Sequence, residues 1–280
     1  MPTLNMHPLQ EVNNQTPQSL HSVDEADSRN AQRLGYYAGE IFRNLLNAES
    51  TLNAEYLQNQ PHINHKMRAI LVDWLVSMHM KFRLLPETLY LSVHLVDRYL
   101  EKVSIQKKHL QLVGIGCMLI STKYEEIYPP QTKDFISVTE HAYNKQQLLK
   151  MENDILKALE FNLTVPSAFR FLERYARLAV VPPNAFNLAR FISELALVEY
   201  HMVQYKASVT AAAALYVALK VLKMEHLVNE TVCEDLSFKP CAKDLFLLFQ
   251  VAHNHPLTAV KDKFARVEFN EVSKIRLNNS

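Results

Sequence analysis

The residues able to do chemistry in this 280-residue chain are spaced so that they cannot do it together. Glu125 and Glu126 are adjacent, so on a helix they diverge by about 100° and cannot project as the paired carboxylates of an acid–base site. His62 with His65, and His253 with His255, stand close in sequence, but no second pair or cysteine lies near either at metal-ligand spacing. They read as solvent-facing histidines. Cys117, Cys233 and Cys241 are odd in number and far apart with no Cys-x-x-Cys pair, which suits reduced thiols in a cytosolic or nuclear protein. The chain contains no Gly-rich phosphate loop, no His-Glu-x-x-His and no Gly-x-Ser-x-Gly. The expectation is a protein without catalytic residues, cofactor or metal.

What remains is recognition, and the densest apolar run, Met67 to Val76, is where it concentrates; it also holds Trp74, the single tryptophan. On a helix, Met67, Ile70, Leu71, Trp74 and Met78 gather on one side, with Ala69, Val72, Val76 and Met80 on the other. Asp73 and Ser77 leave a narrow polar wedge. A helix apolar nearly all round is either encased or packed inward on one side while presenting the other. The expectation is that Ala69, Val72 and Val76 face the core.

The elements that must position this helix follow a repeat. Shifting by 97 positions lays Glu87 to Leu100 on Asn184 to Leu197, with Asp97 on Glu194, and lays Leu112 to Lys123 on Val209 to Lys220. The same shift puts Leu148, Leu149 and Met151 on Leu245, Phe246 and Leu248. A constant offset over three helices reads as two copies of one five-helix unit, each with a small-residue helix at its middle: Gly114, Gly116 and Cys117 in one, Ala211 to Ala214 in the other. Ahead of the repeat, Leu34, Tyr37, Ile41, Leu45 and Leu46 predict an amphipathic arm over about 32–48. The expected organisation is a disordered tail (1–30), N-terminal helix and linker (31–64), first fold (65–163), second fold (164–256) and C-terminal tail (257–280). Only four glycines speak against a β-rich architecture, so the fold class is all-α.

Thirty Lys and Arg against 29 Asp and Glu give a net charge of +1, which offers no basic stripe for nucleic acid and no field for an anionic membrane. No run reaches the roughly 18 apolar residues of a membrane-spanning helix. No nucleic-acid or membrane partner is expected.

Three motifs carry a resemblance. Met67-Arg-Ala-Ile-Leu-Val-Asp-Trp-Leu75, Leu110-Gln-Leu-Val-Gly114 and Lys123-Tyr-Glu-Glu-Ile-Tyr-Pro-Pro130 resemble the cyclin box of mitotic A- and B-type cyclins, and Met80 to Leu85 with Glu87 to Tyr90 leans towards the B-type. The resemblance implies two tandem five-helix cyclin folds with an N-terminal helix. It also implies a non-catalytic regulatory subunit, forming a heterodimer with a cyclin-dependent kinase in the nucleus and cytoplasm and controlling G2/M progression. Carried over position by position, it places Lys123 and Glu152 on the kinase's mobile helix, with Tyr124, Phe161, Leu163, Ile41 and Leu45 as apolar contacts. It further implies a docking patch for Arg-x-Leu motifs of substrates or inhibitors, made of Met67, Ile70, Leu71, Trp74 and Gln111.

The sequence departs from that pattern at several points. Ser77 stands where A-type members carry a Glu, removing a charge-assisted contact to the motif's basic residue. Glu173, Phe186 and Arg190 occupy the positions of a basic phosphate pocket found in B-type members, so no such pocket is expected. No destruction box precedes the first helix, and Arg43-Asn-Leu-Leu46 falls inside it, implying another route of turnover or a shortened form. The rival readings, a cyclin-fold transcription factor or adaptor and an unrelated helical scaffold, have only the bare helical pattern behind them.

Overall fold

The computed structural model describes residues 23–25, 35–227 and 235–276, and among them every regular element is helical. Most of the expected 1–30 tail, the first residues of the arm and the stretch 228–234 with Cys233 lie outside the described residues. Within the tail, residues 23–25 are helical.

An 11-residue arm, α1 (Ala38–Ala48), precedes the first fold, which is built from α2 (His65–Phe82), α3 (Pro86–Lys102), α4 (Leu110–Glu125), α5 (Thr132–Ser137) and α6 (Lys145–Ala158). The second contains α7 (Ala168–Leu178), α8 (Pro183–Val198), α9 (Ala207–Val221) and α10 (Phe238–Val251), followed by α11 (Ala259–Phe264). Local signals set many of these boundaries. Pro86 and Pro183, 97 positions apart, each open a helix at its first position. Asn64 caps α2 by accepting from the Met67 amide at 3.0 Å, and Asn144 with Gln147 forms a capping box on α6.

The repeat survives in the packing. Leu148 and Ile155 are buried on α6, and at the same 97-residue spacing Leu245 and Ala252 are buried in the second fold. The helix itself starts one turn early there, at Phe238 rather than at position 242, and ends with a short 3₁₀ turn at Ala252–Asn254. The middle helices, α4 and α9, are enclosed and lined with small residues. A Cβ on Gly114 would stand 2.7 Å from Leu71 Cδ1, and one on Gly116 would stand 2.9 Å from Ile155 Cδ1, so glycine is what lets α2 and α6 approach α4.

Helix α2 is the shared wall of the two folds, which corrects two expectations. Leu71 and Leu75 enter the first core, where Leu71 lies against Gly114 and is only 5% exposed; it is therefore not on the surface with Ile70. Val72 and Val76 are fully buried, but in a cluster that joins Leu89 and Val93 of α3 to Phe171, Leu188 and many other residues of the second fold, rather than in the first core with Leu71 and Leu75. The reason is that α8 and α11 pack on the far side of α2, so two cores cover most of a helix apolar nearly all round and leave the Ile70 side open. The polar wedge has its own use: Asp73 Oδ1 accepts from the Ala259 amide at 2.9 Å and holds the start of α11. Burial raises the Asp73 carboxyl above the usual range.

At the seam, Arg68 and Asp97 form a fully buried ion pair. Arg68 Nε and Nη2 donate to Asp97 Oδ1 and Oδ2, both at 2.7 Å, and Tyr56 Oη donates to Oδ1 at 2.7 Å. Arg68 Nη1 also donates to the carbonyls of Leu197 at 2.9 Å and Val198 at 3.2 Å, tying α2 to the last turn of α8. Losing one partner of such a pair strands a charge in the interior. Asp97→Ala should lower unfolding stability by about 3–5 kcal/mol in urea denaturation; a loss below about 1 kcal/mol, the range of surface pairs, would show that the pair is not a buried support.

Candidate functional site

The last turn of α4 and the body of α6 lie side by side, and their packing brings Lys123 to Glu152. The two side chains pair at 2.5 Å, with Lys123 48% exposed and Glu152 13%. An exposed pair of this kind contributes only about 0 to 1 kcal/mol to stability, so its placement on the surface is not explained by folding. Tyr124, the next residue on α4, is exposed, and its hydroxyl meets Thr164 Oγ1 of the inter-fold linker at 2.6 Å.

Beyond α6 the chain turns sharply. Glu160 and Phe161 both take left-handed backbone angles, φ 55° and 56°, and the Phe161 amide donates back to the Leu156 carbonyl at 2.9 Å. For residues with a Cβ this conformation costs of order 1 kcal/mol or more. Cations on α3 brace the turn: Lys102 Nζ donates to the Ala158 carbonyl at 3.1 Å and Arg98 Nη1 to the Asn162 carbonyl at 2.6 Å. The result is a Phe161 ring 65% exposed on a fixed turn. Leu163, two residues on, is half-buried and packs against the first core.

Leu45, Tyr124 and Leu163 line one cleft of about 320 Å³ between the two folds, alongside Glu87, His94 and Arg170. Ile41 is exposed one turn before Leu45 on α1 and does not line the cleft. The geometry thus pairs Lys123 with Glu152, gathers Leu45, Tyr124 and Leu163 at the cleft and leaves Phe161 and Ile41 as separate exposed apolar residues.

The second expected site is less uniform. Ile70 is 59% exposed; Met67, Trp74 and Gln111 are half-buried; Leu71 is in the core. Only Ile70 is a freely exposed side chain, with part of Trp74 and Met67 beside it. Ser77 Oγ donates to the Asp73 carbonyl at 3.3 Å within the helix. Of the positions for a basic pocket, Arg190 is enclosed by the rings of Phe169, Phe186, Phe264 and Phe269 at 5.2 to 5.8 Å, and burial raises the Glu173 carboxyl. Among the described residues no group of three His, Cys, Asp or Glu could hold a metal ion, and no helix is long and apolar enough to cross a membrane.

The cleft and the strained turn at Phe161 were not legible in the sequence. A left-handed Phe carries no residue-type signal of the kind glycine gives, and a cavity between repeats depends on how they dock.

Residues 40–164 match the family described as "Cyclin, N-terminal domain" and residues 166–277 the one described as "Cyclin, C-terminal domain". The chain is 40% identical over 266 residues to a G2/mitotic-specific cyclin-B of Spisula solidissima, covering 92% of this chain and 61% of that protein. It is 36% identical over 265 residues to a G2/mitotic-specific cyclin-B of Hydra viridissima, covering 93% and 68% respectively. The chain thus spans roughly 60% of the length of several curated relatives, the Spisula solidissima and Dictyostelium discoideum proteins among them. In fold it is similar to a viral cyclin from herpesvirus saimiri, with TM-score 0.64 and 21% identity over 76% of this chain and 96% of that one. A chain in the yeast RNA Pol II CTD kinase CTDK-1 complex is also similar, with TM-score 0.60 and 15% identity over 82% and 91%.

Burial has one further effect at the cleft and seam. It pushes His94, which lines the cleft, down to about 4, and His79 on α2 down to about 3. The unfolded chain takes up these protons near pH 6.5 and the folded chain only far below, so the unfolded state binds more protons in between and stability falls as pH drops below about 6.5. The expected slope is up to about 1.4 kcal/mol per pH unit for each histidine once the unfolded form is protonated. His94→Leu should remove about half of the two-histidine contribution to that slope between about pH 6 and 5, measured as urea-unfolding free energy against pH; an unchanged slope would mean that His94 is protonated in the folded chain.

Proposed function

The chain belongs to the cyclin family, and from that premise we propose that it is the non-catalytic regulatory subunit that binds and activates a cyclin-dependent Ser/Thr kinase in the nucleus and cytoplasm at G2/M. The observation that carries the reading is the Lys123–Glu152 pair, held at the surface beside an exposed Tyr124 and near the fixed turn that presents Phe161. An amphipathic helix of the kinase would lay its apolar side over Tyr124, Phe161, Leu163 and α1, while Lys123 and Glu152 meet its polar backbone and side-chain groups.

Seating that helix supplies the activation. Phosphoryl transfer by a protein kinase needs a Lys–Glu ion pair whose Glu lies on the mobile helix, so a partner that binds only the inward position shifts the population towards the competent state. Nothing on the cyclin has to touch ATP. The second task is recruitment of Arg-x-Leu segments, for which Ile70, Met67 and Trp74 offer an apolar seat with Gln111 at its edge; Leu71 supports it from below. With Ser77 bonded into its own helix, this seat relies on apolar contact.

Co-expression with a cyclin-dependent kinase, followed by affinity capture and an assay on a Ser-Pro peptide, tests the first task. The double charge reversal Lys123→Glu with Glu152→Lys keeps the intramolecular pair while inverting what the kinase meets. It should weaken binding by about tenfold or more, the scale of one or two charge-assisted hydrogen bonds; wild-type affinity and activation in the double reversal would sink the site. For the second task, Trp74→Ala should reduce binding of an Arg-x-Leu peptide by about tenfold to a hundredfold in fluorescence anisotropy while leaving kinase binding intact. Equal loss of both would point to unfolding rather than to a docking patch.

A further inference from the structure

Helix α1 is weakly held for an element asked to present a binding surface. It is 11 residues long, buries no side chain completely, and its N-cap Tyr37 makes no side-chain capping bond. An isolated helix of this length is marginal in water, so its order must come from what it is fastened to. At its C-terminal end Glu49 accepts from the Ser208 amide and hydroxyl at 2.6 and 2.7 Å. In its middle Phe42 packs edge-on against Phe171 at 5.6 Å and Tyr175 at 5.7 Å, both on α7.

The same face of α7 carries a second attachment. Phe171, Arg174 and Tyr175 stand at i, i+3 and i+4, and Arg174 donates through Nη1 and Nη2 to Asp24 Oδ1 and Oδ2 at 2.5 and 2.8 Å. The contact spans 150 positions in the chain, and the two side chains are only 15% and 21% exposed. This is the bidentate fork of the stronger class of ion pair. Charge complementarity runs beyond the pair: α7 bears Arg170, Arg174 and Arg177 at i, i+4 and i+7, and the segment around Asp24 bears Glu25 and Asp27.

We propose that this arginine-bearing face of α7 is a docking surface for the chain's own acidic N-terminal segment at residues 23–25, and that the Asp24–Arg174 fork is the latch that fixes the N-terminal end of the α1 arm. The segment and Phe42 then grip one helix face from both sides of residues 35–37, so that α1 is pinned before it begins as well as after it ends.

Backbone hydrogen exchange of the full chain tests this without any kinase, so its outcome stands apart from the kinase-binding reading. Asp24→Asn and Arg174→Gln should each speed exchange across residues 38–48 about tenfold, the scale of one lost charge-assisted contact, with α4 unchanged as the internal reference. The exchanged pair Asp24→Arg with Arg174→Asp should bring the rate back to within about twofold of the parent. Unchanged exchange in Asp24→Asn would overturn the latch. An effect confined to Arg174→Gln would do the same, since it would assign Arg174 to the packing of α7 alone, and so would an exchanged pair that remains as fast as the single variants.

Discussion

The two-repeat body depends on a buried carboxylate at one position of each repeat. Asp97 on α3 and Glu194 on α8 lie 97 positions apart, and each is 3% exposed or less. An unpaired carboxylate at such a depth would cost several kcal/mol, so each obliges the fold to bring it a cation. In the first repeat that cation is Arg68, from the opening helix of the same unit. The corresponding helix of the second repeat, α7, turns Phe169, Phe171 and Leu172 inward instead. Lys263, on the short α11 after the second repeat, fills the gap, with Nζ 2.7 and 2.8 Å from the two oxygens of Glu194. Burial depresses the Lys263 ammonium, so the pairing with Glu194 is what keeps the charge tolerable there.

Both solutions cross a boundary, and this makes one body out of two repeats. Arg68 spends its remaining donor on the last carbonyls of α8, satisfying helix-end acceptors that no intrahelical donor can reach. Lys263 sits on a helix whose first amide is held by Asp73 of α2. The segment expected from the sequence to be a terminal tail is therefore partly a structural strut between the folds. A rigid seam fixes the cleft lined by Leu45, Tyr124 and Leu163, because a cavity bounded by both folds keeps its shape only if the second repeat cannot rock against the first. Preorganisation of this kind reduces the ordering cost of binding.

Much of this was legible in the sequence, where a residue type or spacing had one physical meaning. The 97-residue offset marks two helical units because three separate helices repeat at one spacing, and the structure opens two of them alike at Pro86 and Pro183 and buries Asp97 and Glu194 alike. The small residues of α4 and α9 marked the enclosed middle helices. The sides of α2 were harder. Periodicity sorts a helix into faces but does not say which body packs on each face, so it marks Val72 and Val76 as buried without showing that most of what buries them is the second fold. Leu71 and Ile70 are neighbours of equal hydrophobicity; Gly114 opposite Leu71 decides which of them is inside, and that is a contact between elements rather than a pattern within one.

The same limit explains why the turn at Phe161 had to come from the structure. A run such as Leu159 to Leu163 reads as core on hydrophobicity alone, and a left-handed Phe leaves no mark in composition. Yet the conformation is the informative feature. A strained backbone persists only where its surroundings over-determine it, and here the back-bond to Leu156 and the bonds from Arg98 and Lys102 do so while leaving the ring exposed. A large aromatic held in the open contributes nothing to the core, whereas one already ordered in its projecting position loses little entropy when a partner covers it. The cost of placing Phe161 is met during folding by cations on α3, a helix locked to α2 through Asp97 and Arg68. The constraint that seats the two repeats therefore extends, through one helix, to the turn that presents the exposed ring.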